Sequence, residues 1–284
     1  MRTVSVACIQ MRSSDVIEDN IEDATRRIRE AATQGAELVV TPEMTALLDR
    51  RPGALLSTAT TEKEELTIAN FRELARELSI NLIIGSHPMK VTDDRCANRS
   101  FFIGKNGEIL ARYDKIHLFD ADFGGTDVYK ESDRFVPGEA AQLISVGDLC
   151  VGMTICYDLR FPNLFRSFAK AGANVIVVPA SFTRPTGEAH WHVLLRARAI
   201  ESGCFILAPA QGGIHADGRE TFGHSLIVDP WGKILVEAGT EPEVIVANLD
   251  LNLVSEARRK LPTLLHDREY TLQKTNASVI PGAV

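Results

Sequence analysis

Apolar positions along the chain follow two rhythms that alternate. Residues 3 to 9 (TVSVACI) form a short run rich in small and β-branched residues, and Ile17, Ile21, Ala24, Ile28 and Ala31 then recur at spacings of four and three up to Gly35. The first rhythm predicts a buried strand and the second an amphipathic helix closed by the glycine. The pair then repeats. AELVVT (36 to 41) reads as a strand, a helix follows from about Thr61 to Leu78 with Leu66, Ala69, Leu74 and Leu78 facing inward, and NLIIGS (81 to 86) reads as the next strand. Between strand and helix, the stretch around RRPG is a loop. The second half continues with LCVGMTIC, a helix near 162 to 171, strand NVIVVPAS, a helix from 187 to 202 and strand CFILAPAQ.

Two segments break this alternation. RSFFIGKNGEILARYDK (99 to 115) places two apolar runs around Asn106-Gly107, the strongest short-range signal for a tight hairpin. HSLIVDPWGKILVEAG repeats the arrangement around Asp229-Pro230-Trp231-Gly232, before strand VIVANLD and a basic helix that ends at Pro262. Residues 116 to 141, with Gly124-Gly125 and Pro137-Gly138, read as a long ordered loop, a kind of segment that is usually functional. From about 263 the chain is polar and irregular. No flexible linker divides it, so residues 1 to 284 are expected to form one α/β domain with helices on outer faces. A (β/α)8 barrel is the rival, and the two hairpins count against it.

Charge and composition narrow the partners. The formal net charge is −7, from 31 basic and 38 acidic residues mixed along the chain, which leaves no cationic face for nucleic acid. The start, MRTVSVACIQMRSSDVIEDN, lacks the form of a signal peptide and no apolar run reaches bilayer length, so the reading is a cytosolic protein without membrane segments. Five cysteines, at 8, 96, 150, 156 and 204, are widely spaced with no CxxC pair, which excludes a disulfide framework or zinc cluster as the organising feature.

Three polar residues stand just beyond apolar strands, where side chains of α/β sheets can converge. Glu43 follows ELVVTP, Lys115 follows ILARYD, and Cys156 follows CVGMTI. Singly, each has an ordinary explanation as a buried cysteine or a solvated charge. Together they make chemical sense: Glu43 takes a proton from the Cys156 thiol and later hands it to a departing nitrogen, while Lys115 faces the oxyanion formed when sulfur attacks a carbonyl.

The segments VVTPEM, RYDKIHLFD and TICYDLRFP, in this order, resemble the three catalytic blocks of the nitrilase superfamily of carbon–nitrogen hydrolases. The resemblance runs from the first strand to about Pro262. It implies a four-layer αββα sandwich, a homo-oligomer, and a second glutamate that orients the lysine, whose matching position is Glu131 in YKESDRFVPGE. PASFTRPTGEAHWHVLLRARAIE and FGHSLIVDPWG are most similar to the Nit branch, which implies an amidase acting on deaminated glutathione and forming 2-oxoglutarate and cysteinylglycine. An ω-amidase of 2-oxo acid amides, or an N-carbamoyl amino acid hydrolase, would use the same residues, and a catalytically silent scaffold is the reading of another class.

Such substrates carry carboxylates, so the pocket should offer cations and hydrogen-bond donors. Arg160 and Arg184 are candidates for the first role, with a salt bridge across a loop as the alternative for each. Tyr157, Thr183 and Thr186 are candidates for the second, and His190 is expected to hold a TGEAHW loop against the pocket. His190 and His192 flank Trp191, but positions two apart on a helix face different sides and no further ligand stands at metal spacing, so neither a metal nor a cofactor is expected.

Overall fold

In a computed structural model of the protein, residues 3–49, 51, 53–124 and 128–275 are described. Two six-stranded sheets organise them. Across the first, the order is Val244–Asp250, Thr3–Ile9, Leu38–Val40, Asn81–Lys90, Cys96–Ile103 and Ile109–Asp114. Across the second it is Ile234–Glu237, Leu226–Val228, Phe205–Ala208, Val175–Val177, Leu149–Met153 and Gln142–Val146. Three central strands of each sheet run parallel, and the hairpins at 99–115 and 224–239 supply antiparallel neighbours. Two open sheets with antiparallel edges exclude the barrel.

Strand periodicity builds the layers. Along Thr3–Ile9, Val4, Val6 and Cys8 point into a core shared with Val151, Met153 and Val175 of the second sheet. Ala7 and Ile9 point the other way, toward Ala24 and Ile28 of the helix Ile17–Thr33 and Phe71 of the helix Leu66–Leu78. On the far side, Phe165, Trp191 and Leu195 of the helices Pro162–Lys170 and Arg184–Ser202 pack on the second sheet. The order is therefore helix, sheet, sheet, helix. Each aliphatic side chain buried in this way contributes about 1.5–3 kcal/mol. Among the described residues no helix is long and apolar enough to cross a membrane.

Several expectations shift. The second helix begins at Leu66, not near Thr61, because the Thr60 and Thr61 hydroxyls are bound by the Glu65 and Glu64 carboxylates and Glu65 also caps Thr67 N. Its inward face is Ile68, Phe71, Leu74 and Ala75, while Leu66 and Ala69 are exposed. Residues 116 to 141 are not a plain loop: Asp120–Asp122 pairs with Val128–Lys130, and a 3-10 turn follows at Glu131–Asp133. Strands of three residues leave too short a period to read. The same holds for the ribbon Gly212–Ile214 with Glu220–Phe222. The RRPG stretch runs into the short helix Ala54–Thr58, with Arg50 and Pro52 outside the described residues. Gly125 of the expected Gly-Gly pair and the tail beyond 275 also lie outside them.

Candidate active site

Glu43, Lys115 and Cys156 each lie within three residues of a strand end, two on the first sheet and one on the second. The Glu43 turn is held close to the next strand. Thr41 N donates to Ile83 O and Gly85 N donates to the Thr41 hydroxyl. A Cβ on Gly85 would lie 2.1 Å from Thr41 O, so a side chain there would push the turn away. Lys115 directly follows Ile109–Asp114, and its carbonyl accepts from Gly138 N at 2.8 Å. Cys156 opens the 3-10 turn Cys156–Arg160 with φ at 49°, in the left-handed region that cysteine rarely visits. The strained turn presents the sulfur at the seam between the sheets.

At that seam four ionisable groups meet, all at least nine-tenths buried: Glu43, Lys115, Glu131 and Cys156. Lys115 Nζ donates to Glu43 Oε1 at 2.9 Å and to Glu131 Oε1 and Oε2 at 3.0 and 2.8 Å. Asn98 Nδ2 donates to Glu43 Oε1 at 2.9 Å and Glu131 Oε1 at 3.1 Å, and Phe119 N donates to Glu131 Oε2 at 2.6 Å. Burial works against the lysine charge, yet Glu131, Glu43 and the Cys156 sulfur raise its pKa well above the usual lysine value. Cys156 moves in the same direction. Burial and the negative charge on Glu43 push its pKa well above that of a free thiol, against the opposing pull of Lys115 and the Ser181 N–H. Two carboxylates facing one ammonium favour the thiol over the thiolate at Cys156, which lies within hydrogen-bonding reach of Glu43.

Asp158, fully buried, ties the two sheets together here. Its Oδ2 accepts from Tyr113 Oη at 2.6 Å and Ile155 N at 2.8 Å, and its Oδ1 accepts from His117 N at 3.1 Å and contacts His117 Nδ1 at 2.7 Å. Tyr113 and His117 flank Lys115, and Ile155 precedes Cys156, so one carboxylate fixes the lysine relative to the thiol. Asp158→Ala leaves the buried Tyr113 O–H and Ile155 N–H donors without their acceptor. It should destabilise the protein by about 2–4 kcal/mol in urea unfolding and lower kcat more than it raises KM.

The model of the carbon–nitrogen hydrolase family matches residues 5–259. The chain belongs to that family. It is 38% identical over 273 residues to the deaminated glutathione amidase of Synechocystis sp. strain PCC 6803, covering 94% of this chain and 98% of that one. Among solved structures it resembles the C. elegans NitFhit protein, with a TM-score of 0.86 at 32% identity, covering 98% of this chain and 69% of that one. It also resembles a glutamate-to-glutamine mutant of an amidase from Nesterenkonia sp. AN1, with a TM-score of 0.77 at 26% identity, covering 91% and 98%. That structure shows the Michael addition of acrylamide at the active-site cysteine.

In this member of the carbon–nitrogen hydrolase family, a cavity of about 230 Å³ opens over Cys156, lined by Glu43, Lys115 and Glu131 and by the cations Lys130, Arg134 and Arg219. A narrow crevice beside it contains Tyr157, Arg160, Ser181, Thr183 and Thr186. The Arg160 guanidinium lies over the Tyr157 and Phe182 rings at 5.9 and 5.4 Å. Two expected pocket residues line neither the cavity nor the crevice. Arg184 lines an adjoining outer hollow that shares Tyr129 and Arg219 with the cavity and Thr183 and Thr186 with the crevice, and it pairs with Glu188 and Glu220 at 2.9 and 2.7 Å, the salt-bridge alternative. His190 is exposed on the helix Arg184–Ser202, which begins three residues earlier than expected and leaves TGEAHW no loop; its Nδ1 lies 3.3 Å from Arg160 Nη1. Sequence reasoning missed Asn98, Asp158, Ser181 and Arg219. Only Asp158 carried a signal, as a carboxylate two residues after the nucleophile candidate. Ser181 Oγ and Arg219 Nε, both lining the cavity, are buried without a hydrogen-bond partner among the described residues.

Proposed function

We propose that the protein is an amidase that hydrolyses deaminated glutathione through a thioester on Cys156. The observation that carries this reading is the buried cluster in which Glu43 faces the Cys156 thiol while bound to Lys115. In the proposed sequence, sulfur attacks the amide carbon as Glu43 takes its proton, and Lys115 with the Tyr157 N–H receives the negative oxygen. Glu43 then passes the proton to the departing nitrogen, the C–N bond breaks, and cysteinylglycine leaves. Water, deprotonated by Glu43, cleaves the thioester to 2-oxoglutarate and restores the thiol. Glu131 keeps Lys115 charged and aimed in both halves.

The relatives' names and the cationic lining support this substrate. Its carboxylates fit Arg160 in the crevice and Arg219, whose unpaired Nε would gain a charge-assisted hydrogen bond. Exposed Ile200 and Trp231 beside one outer hollow supply an apolar surface for homo-oligomer formation. The deciding measurement compares cysteinylglycine release from deaminated glutathione with ammonia release from 2-oxoglutaramate. The expected preference for the larger substrate in kcat/KM is at least tenfold, and the reverse order would reassign the protein as an ω-amidase.

A further inference from the structure

Outside the catalytic cavity, the fold gathers His192, His224 and Glu237 from three separate elements. His192 Nε2 and His224 Nδ1 each lie 2.8 Å from the same oxygen, Glu237 Oε1, and one donor atom from each residue falls within 4.8 Å of the others. We propose that these three side chains bind one divalent transition-metal ion of zinc-like chemistry. Two imidazole nitrogens and a carboxylate oxygen form a donor set that holds zinc in three-ligand sites, with the fourth position left to water.

Metal–ligand bonds of roughly 2.0–2.2 Å put tetrahedral donors roughly 3.3 Å apart, so the ion needs the two 2.8 Å contacts to open by about 0.5 Å and the two imidazole nitrogens, within 4.8 Å of each other, to settle at the same spacing. Side-chain rotation supplies that movement, because the backbone is already fixed. His224 N donates to Gly239 O at 2.9 Å, and His224 O accepts from Nε1 of the fully buried Trp191, the neighbour of His192. His224 holds φ at 54°. This uncommon conformation lays its ring on Phe222, centroids 4.4 Å apart, and His192 meets the same phenyl edge-on at 5.9 Å. Both imidazoles are thus held beside the Glu237 carboxylate before any ion arrives, with only a small ring rotation left to make. The side chains keep 28–32% of their surface exposed, which gives the ion access and leaves room for the water ligand. Two imidazoles tying a helix to a strand through one carboxylate would serve a structural role without metal, and solution binding separates the two readings.

The test is a calorimetric titration of zinc chloride into the chelator-treated full-length chain carrying Cys156→Ala, which removes the catalytic thiol as a competing ligand. One ion per chain is expected. His192→Gln, Glu237→Gln and His224→Asn, the last chosen because asparagine tolerates the left-handed backbone, should each weaken binding by about tenfold or more. With Cys156 intact, the same three variants should hydrolyse amide at the parent rate in metal-free buffer, which reports an intact fold. No zinc binding by the parent, or equal binding by the parent and all three folded variants, would overturn the proposal. Neither result depends on which amide is the substrate.

Discussion

Cys156→Ala should abolish amide hydrolysis while leaving thermal unfolding within a few degrees of the parent. Loss of the only atom proposed to bond the substrate carbon should cost about four to six orders of magnitude in kcat/KM, since a base and an oxyanion site without a nucleophile retain little. The fold should survive because the left-handed backbone at residue 156 is held by neighbours, with its N–H bound to Pro179 O at 2.9 Å, and not by the sulfur. The substitution should also flatten the alkaline side of the stability profile. A thiol whose folded pKa is raised stays neutral while the unfolded thiol ionises above about pH 8.5, so its contribution is present below that pH and is lost as pH rises. Cys8, Cys96 and Cys204, raised by burial, act in the same direction, so the slope should decrease without vanishing. Activity above about 1% of the parent would remove Cys156 from the mechanism.

Lys115→Met should damage both rate and stability. Without the ammonium, Glu43 and Glu131 remain buried and share only the Asn98 amide as a common donor. Breaking a buried ion pair by removing one partner costs about 3–5 kcal/mol, and losing the group proposed to receive the oxyanion should cost about 10²–10³-fold in kcat. The pH dependence identifies the cause. In the variant two buried carboxylates face each other with no cation between them, so the variant should recover stability in mild acid, where their repulsion is relieved. In the parent, the raised Lys115 pKa gives a contribution that is complete below about pH 10 and fades only above it. Adding Glu131→Gln to Lys115→Met should restore most of the stability and none of the rate. Urea unfolding at pH 5 and pH 8, beside steady-state kinetics, checks all four points.

The fold was legible where the apolar pattern ran long enough. The 17-residue helix Ile17–Thr33 and the Asn106-Gly107 hairpin stand where the pattern puts them. Three-residue strands such as Val128–Lys130 carry no measurable period, and they exist because partners across the ribbon pair with them. The candidate site divides in the same way. Glu43, Lys115 and Cys156 could be found as polar residues closing apolar runs, whereas Asn98 sits inside the strand Cys96–Ile103 and points inward by the same alternation that places apolar neighbours. Arg219 lies in the turn between the strands Gly212–Ile214 and Glu220–Phe222, far along the chain, and no local feature connects it to residue 156. His192, His224 and Glu237 have no common spacing, so their meeting is a property of the folded chain alone.

The strand order also governs how the chain can be made. Val244–Asp250 pairs with Thr3–Ile9 along its whole length and forms the outer edge of the first sheet. During synthesis Thr3–Ile9 therefore leaves the ribosome long before Val244–Asp250 and waits for it with one flank of its hydrogen-bonding groups unpaired. Such long-range pairing slows folding and exposes an edge to other nascent chains. The strand that carries no proposed catalytic group thus sets the earliest moment at which the finished sandwich can hold Glu43, Lys115 and Cys156 together.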